Sequence, residues 1–157
     1  MIETLTINFR YLIPEQIFEE LIEIAKDDHQ KNDKISNGWI YAQRRENFAV
    51  INNYTVNNDL KGCHIRPKSW IRLKKRKLYT MRKLKKDTKS DIIWQFHTHP
   101  SNNKELHDVD LQILKYFTTG VMIIITTDSI IGWYYKKMYD QKPFLDKMLF
   151  EIIGEEM

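Results

Sequence analysis

Asp91-Ile92-Ile93-Trp94-Gln95-Phe96-His97-Thr98-His99-Pro100 decides how this chain is read. Its opening residues form an apolar run rich in β-branched and aromatic side chains, which predicts a buried strand. Side chains alternate across a strand, so His97 and His99, two apart, project to one face and can reach one ion. Pro100 removes a ladder donor and ends the strand. The polar stretch Ser101 to Glu105 then forms a loop, and Asp108 to Phe117 predicts a helix with Leu111, Leu114 and Phe117 on one side. Asp110 falls in the first turn of that helix, facing back toward the strand end. Two imidazoles and a carboxylate supply three protein ligands and leave a tetrahedral metal one position for water, as a hydrolytic zinc site requires. The plainer reading is two ordinary strand histidines and an aspartate that caps a helix.

Upstream, Thr4 to Phe9 alternates, with Leu5, Ile7 and Phe9 on one face, and predicts a strand. Pro14 suits a first helical position, and Ile17, Phe18, Leu21, Ile22 and Ala25 form an apolar stripe that runs to about Lys26. Asp27 to Ser36 reads as a polar loop. Gly38 to Gln43 and Phe48 to Val56 read as a hairpin around Arg45-Glu46-Asn47, broken by Asn57-Asn58-Asp59. Asp91 to His99 and Val121 to Thr126 are the most apolar strands and are expected at the centre, with the intervening helix as a crossover that makes them parallel. A further strand ends near Tyr135. Pro143 is expected to open a last helix with Phe144, Leu145, Met148, Leu149 and Ile152 facing inward. The expected fold is therefore α/β, a three-layer mixed sheet flanked by helices. Trp39, Trp94 and Trp133 each lie in an apolar strand run and are expected in the core or a cleft wall.

A chain of 157 residues, 42% hydrophobic, has enough length to bury its own core, and residues 1–157 are read as one domain. No apolar run reaches membrane-spanning length, and Met1-Ile2-Glu3-Thr4-Leu5 lacks the basic start of a secretory signal, so a cytoplasmic location away from membranes is expected. The single cysteine, Cys63, fits a reducing compartment; its neighbour His64 would point to the opposite side of a strand. Charge is uneven. Residues 66–89 hold 12 lysines and arginines against Asp87 alone, so this basic insert carries +11 of a total of +4 and leaves −7 elsewhere. Trp70, Ile71, Leu73, Leu78, Tyr79, Met81 and Leu84 interleave with the charges. One reading is a solvated helix or hairpin that packs its apolar side onto the domain; another is a docking surface for nucleic acid or an acidic partner.

The segment Trp94 to Leu111 resembles the JAB/MPN-plus (JAMM) zinc metalloproteases of the prokaryotic JAB type, whose pattern is His-x-His-Pro, a loop, and Ser-x-x-Asp. The resemblance implies a cytidine-deaminase-like fold and makes His97, His99 and Asp110 the zinc ligands. It also implies a substrate class: a ubiquitin-like or sulfur-carrier-like protein, cleaved at an amide or isopeptide bond of its C-terminal tail, as a deubiquitinase-like hydrolase would do.

Two positions depart from the family pattern. The serine position holds His107, in His107-Asp108-Val109-Asp110, which could donate to an oxyanion, add a metal ligand or face solvent. The family's general-base glutamate, three residues before a glycine, falls on Ile35 ahead of Gly38, and Ile35 cannot move a proton. Asp33 and Glu46 are the nearby carboxylates, and the catalytic base is unassigned. Alternatives to an active hydrolase are therefore an inactive MPN-like interaction scaffold and, given the basic insert and a similarity of the motif to RadC-type proteins, a nucleic-acid-associated module.

Overall fold

In the computed structural model, which describes residues 9–31, 35–57, 82–99, 102, 105–106, 110–111, 119–137, 139–140 and 142–154, the first strand runs straight into a helix. Strand β1 spans Arg10–Pro14 and helix α1 spans Glu15–Gln30. The remaining strands are β2 (Asn37–Arg44), β3 (Phe48–Asn57), β4 (Ile92–Thr98), β5 (Thr119–Ile125), β6 (Ile130–Lys136) and β7 (Phe144–Ile153). Their order is β1-β3-β2-β4-β5-β6-β7, and β7 pairs in parallel with β1 to close a barrel.

This corrects the three-layer, cytidine-deaminase-like α/β expectation: the described chain is mostly β, a closed seven-stranded barrel. The error traces to one element. Phe144 to Ile152 has apolar residues at helical spacing, yet Phe144, Leu145, Leu149 and Ile152 are exposed and only Met148 is buried. The buried and half-buried pair Met148 and Phe150 has the period of a strand instead. That strand bonds to β6 on one side and β1 on the other, and it is what joins the sheet's two ends. A helix there would have left an open sheet to be covered by layers. Residues 4–8 of the strand expected at Thr4 to Phe9 lie outside the described residues; the first described strand is Arg10–Pro14, with Pro14 as its last residue and the N-cap of α1.

Other elements follow the expected order. The β2–β3 hairpin turns at residues 45–47 and carries an irregularity between Tyr41 and Ala42. Strands β4 and β5 are parallel, with His97 beside Ile124 and Thr98 beside Ile125. Of the helix expected at 108–117, residues 110 and 111 are described and both are helical.

Alternation sorts every strand into two faces. The inward face supplies Ile13, Ile40, Ala42, Ala49, Ile51, Trp94, Phe96, Ile123, Ile125 and Met148, and α1 adds Leu21, Ile22 and Ala25 to the same cluster. Tyr11, Trp94 and Phe150 meet there edge-on or tilted, with ring centroids 5.8–6.0 Å apart, and bind β4 to the β1–β7 closure. The outward face carries Trp39, Tyr41 and Ile93, and farther round Met122, Ile124, Ile131, Trp133 and Tyr135. The three tryptophans Trp39, Trp94 and Trp133 are all buried.

Leu106 and Leu84 cover parts of this outward face. Leu84 belongs to a short helix at residues 82–87 in which Arg82, Lys83, Lys85 and Lys86 are exposed, so this end of the basic insert packs its apolar side and solvates its charges. Residues 66–81 of the insert, with Cys63 and His64, lie outside the described residues. Among the described residues no helix is long and apolar enough to cross a membrane.

Gly38 sets how closely β2, β3 and β4 approach. A Cβ there would collide with the carbonyl oxygen of Thr55 and lie 2.7 Å from Phe96 Cε2. Gly38→Ala is therefore expected to destabilise the fold by roughly 1–3 kcal/mol or more, seen as a lower urea midpoint. Gly154→Ala, where a Cβ meets nothing within 4 Å, should change stability by less than about 0.5 kcal/mol.

Candidate metal centre

Strand β4 ends at Thr98, and the two residues flanking it in sequence point away from the inner core. Trp94 and Phe96 occupy the inward positions, so His97 is turned outward, and His99 follows it two residues on. The backbone N–H of His99 donates to the carbonyl of Ile125 at 2.9 Å, which holds the residue against β5 after the strand proper has ended. Asp110 comes to the same place from helical backbone in the chain between β4 and β5.

Among the described residues, His97, His99 and Asp110 form a group that could hold a metal ion, and all three are buried, at 2%, 3% and 5% exposure. The two Nε2 atoms stand 3.1 Å apart. His97 Nε2 lies 3.2 Å from Asp110 Oδ1, and His99 Nε2 lies 3.1 Å from Asp110 Oδ2. With ligand bonds of 2.0–2.1 Å, the edge of a tetrahedron around zinc is about 3.3 Å, close to the separation of the two Nε2 atoms. Each of these nitrogens has a different oxygen of Asp110 at a similar distance, and one ligand atom from each of the three residues lies within 4.8 Å of the others.

Hydrogen bonds alone serve this cluster poorly. If both Nε2 atoms carry protons for the carboxylate, two N–H groups face one another at 3.1 Å. If only one does, the other nitrogen sets its lone pair against a carboxylate oxygen. A cation at the centre turns all three atoms into acceptors for one charge and removes the conflict. Burial pushes the Asp110 carboxyl up, but hydrogen bonds from His97 and His99, with their charge, outweigh it and hold the carboxyl well below the usual carboxylate range.

The strand end is fixed from behind by a carboxylate. Asp28, on α1, is 3% exposed, and its Oδ2 accepts from Thr98 Oγ1 at 2.7 Å and from the Ser36 backbone N–H at 3.1 Å. Its Oδ1 accepts from Ser36 Oγ at 3.0 Å. The Ser36 N–H also donates to Thr98 Oγ1 at 2.9 Å, and the Thr98 N–H donates to the Ser36 carbonyl at 2.9 Å. Thr98 stands between the two histidines in sequence, so this network locks the backbone that presents them.

Asp28 was missed by the sequence reading, which assigned Asp27 to Ser36 to a polar loop; α1 in fact continues to Gln30. A signal was present. Leu21, Ala25 and Asp28 share one helical face, and a carboxylate on an apolar stripe needs partners when buried.

The weak candidates for a general base fare differently. Glu46 is exposed in the β2–β3 turn, whereas the far end of β2, Asn37, pairs with His97. Strand β2 alone, Asn37 to Arg44, separates them by about 23 Å at ~3.3 Å per residue, so Glu46 is not part of this site. Asp33 and His107 lie outside the described residues. Ile35, where the family pattern expects a glutamate, is half-buried just before β2.

Asp28→Ala is expected to weaken zinc binding by roughly 10- to 100-fold, measured by competition with a chromogenic chelator, because the supporting bonds to the strand end are lost. Metal uptake must displace protons from imidazoles but not from a carboxyl already ionised. Asp110 should therefore release no proton when metal binds, so Asp110→Asn is expected to leave the number of protons released per metal bound unchanged; a release lower by one proton in the variant would contradict the ionised carboxyl. Neither a family model nor a curated protein matches the chain.

Proposed function

We propose that this protein is a zinc-dependent hydrolase that cleaves an amide or isopeptide bond at the C-terminal tail of a ubiquitin-like or sulfur-carrier-like protein in the cytoplasm. The observation that carries the reading is the buried convergence of His97 Nε2, His99 Nε2 and the Asp110 carboxylate, one ligand atom from each within 4.8 Å of the others, a donor set that leaves a tetrahedral ion one further position. Zinc bound there would supply a Lewis acid and lower the pKa of water toward ~7. His97 and His99 orient two ring nitrogens, Asp110 supplies the negative charge, and Asp28 holds the intervening Thr98 so that the geometry exists before a ligand arrives. The substrate class comes from the resemblance of residues 94–111 to JAMM proteases.

A second reading, a metal-binding scaffold that does not turn over substrate, is favoured by Ile35 at the expected base position and by the remoteness of Glu46. A positioned general base is worth roughly 10²- to 10⁴-fold. The exposed cations of residues 82–87 favour an acidic protein or nucleic acid as partner for that surface.

Protein purified without chelators is expected to carry about one zinc per chain, and His97→Ala or His99→Ala to carry essentially none by elemental analysis; a metal-free wild type would refute the centre. Incubation of the zinc-loaded protein with linear fusions of ubiquitin-like proteins should release the carrier, and a chelator should stop it. Full zinc occupancy without cleavage would establish the scaffold instead.

A further inference from the structure

Among the described residues, two amide side chains on the metal-site face of the sheet are buried with a polar atom that no hydrogen bond satisfies, Asn37 Nδ2 and Gln95 Oε1. Asn37 is 2% exposed and Gln95 9%. Buried amides without partners are destabilising, and folded proteins keep few of them except where water, an ion or a ligand completes the bond. Asn37 occupies a telling position. It is the cross-strand partner of His97 in the β2–β4 ladder. The Thr98 N–H donates to the Ser36 carbonyl, which makes Ser36–Thr98 a hydrogen-bonded pair and Asn37–His97 the adjoining pair, in which facing side chains come closest. The Asn37 carboxamide thus stands beside a metal ligand, with Cβ atoms roughly 4.5–5.5 Å apart. Gln95 is set back along β4 by two residues, opposite Trp39.

We infer that Asn37 Nδ2 is the donor that positions an oxygen ligand, a water or a carboxylate, at the coordination position left open by His97, His99 and Asp110. This rests on the metal reading above. A water held there would lose a proton more readily to become hydroxide, and a carboxylate is anionic already; a hydrogen bond from a neutral amide favours either anion without competing for the metal, since the amide Nδ2 has no free lone pair to offer. The same donor explains why an asparagine occupies a site where an apolar side chain would pack at lower cost, as Trp39 and Tyr41 do two and four residues on. Its role is to position a ligand; it accepts no proton.

Cobalt(II) replaces zinc in such sites with a visible spectrum, so the full chain loaded with cobalt can be titrated with acetate. Asn37→Leu and Asn37→Ala are expected to take up cobalt as the wild type does, yet to bind acetate roughly 10- to 100-fold more weakly, the loss of one hydrogen bond to a charged acceptor. Gln95→Leu, which removes the other buried amide, should leave acetate affinity within about twofold. Acetate affinity unchanged in Asn37→Ala overturns the inference, as does a weakening of equal size in Gln95→Leu, or a wild-type cobalt spectrum that acetate does not perturb. A wild type that takes up no cobalt refutes the metal centre itself, and the inference with it.

Discussion

Thr98 separates two imidazoles by one residue and points the other way, and the rest of the molecule depends on that alternation. The inward positions of β4 are filled by Trp94 and Phe96, which are buried against Ile40, Ile123 and the apolar stripe of α1. A slip of one residue in the β2–β4 register would drive His97 and His99 into this apolar interior and turn both aromatic rings outward. Burial of large side chains at roughly 1.5–3 kcal/mol each opposes any such slip, so the hydrophobic core itself enforces the facing of the donor atoms. The Asp28 network adds a second restraint, since Thr98 is bonded to Asp28 and Ser36 at once. Packing decides which way the strand faces, and hydrogen bonding decides where it stops.

The donor triad was legible because each of its signals is local. Two-residue spacing in an apolar strand, a terminating Pro100 and an acidic residue opening a helix need no knowledge of distant contacts. The β2–β3 hairpin and the parallel β4–β5 pair were readable for the same reason. Barrel closure was not. Strand β7 reads as a helix because Leu145 and Leu149 recur at four-residue spacing, but those residues lie on the outward face and were never part of a core stripe. What commits residues 144–153 to a strand is pairing with β6 and with β1, the latter some 140 residues away in sequence, and no short window contains that information. Asp28 was obscured in the complementary way: its partners Ser36 and Thr98 come from the start of β2 and the end of β4, so its polarity looked like that of a loop.

The outward face of the sheet is unusual in combining aromatic cover with buried polarity. Trp39, Gln95, Met122 and Trp133 occupy one row across β2, β4, β5 and β6, and Asn37, His97, Ile124 and Ile131 occupy the next. Rings and aliphatic groups exclude water around the second row, which lowers the local dielectric and strengthens any interaction between the donor atoms and a charge. The same exclusion makes each imperfectly bonded amide in those rows costly to the fold. Stability and chemistry are set against one another along a few ångströms of strand, as expected where a binding function shapes a core.

Closure of the ladder from β7 to β1 has a consequence for how another polypeptide could engage this protein. Each of the seven described strands has a neighbour on both sides, so none offers a free row of amide and carbonyl groups onto which a visiting chain could add as an eighth strand. A tail brought to the centre has to be gripped by side chains and connecting loops instead of being zippered in through its backbone. Selectivity would then reside in the segments around the ends of β4 and β5, and those segments could diverge freely while the barrel beneath them stayed the same.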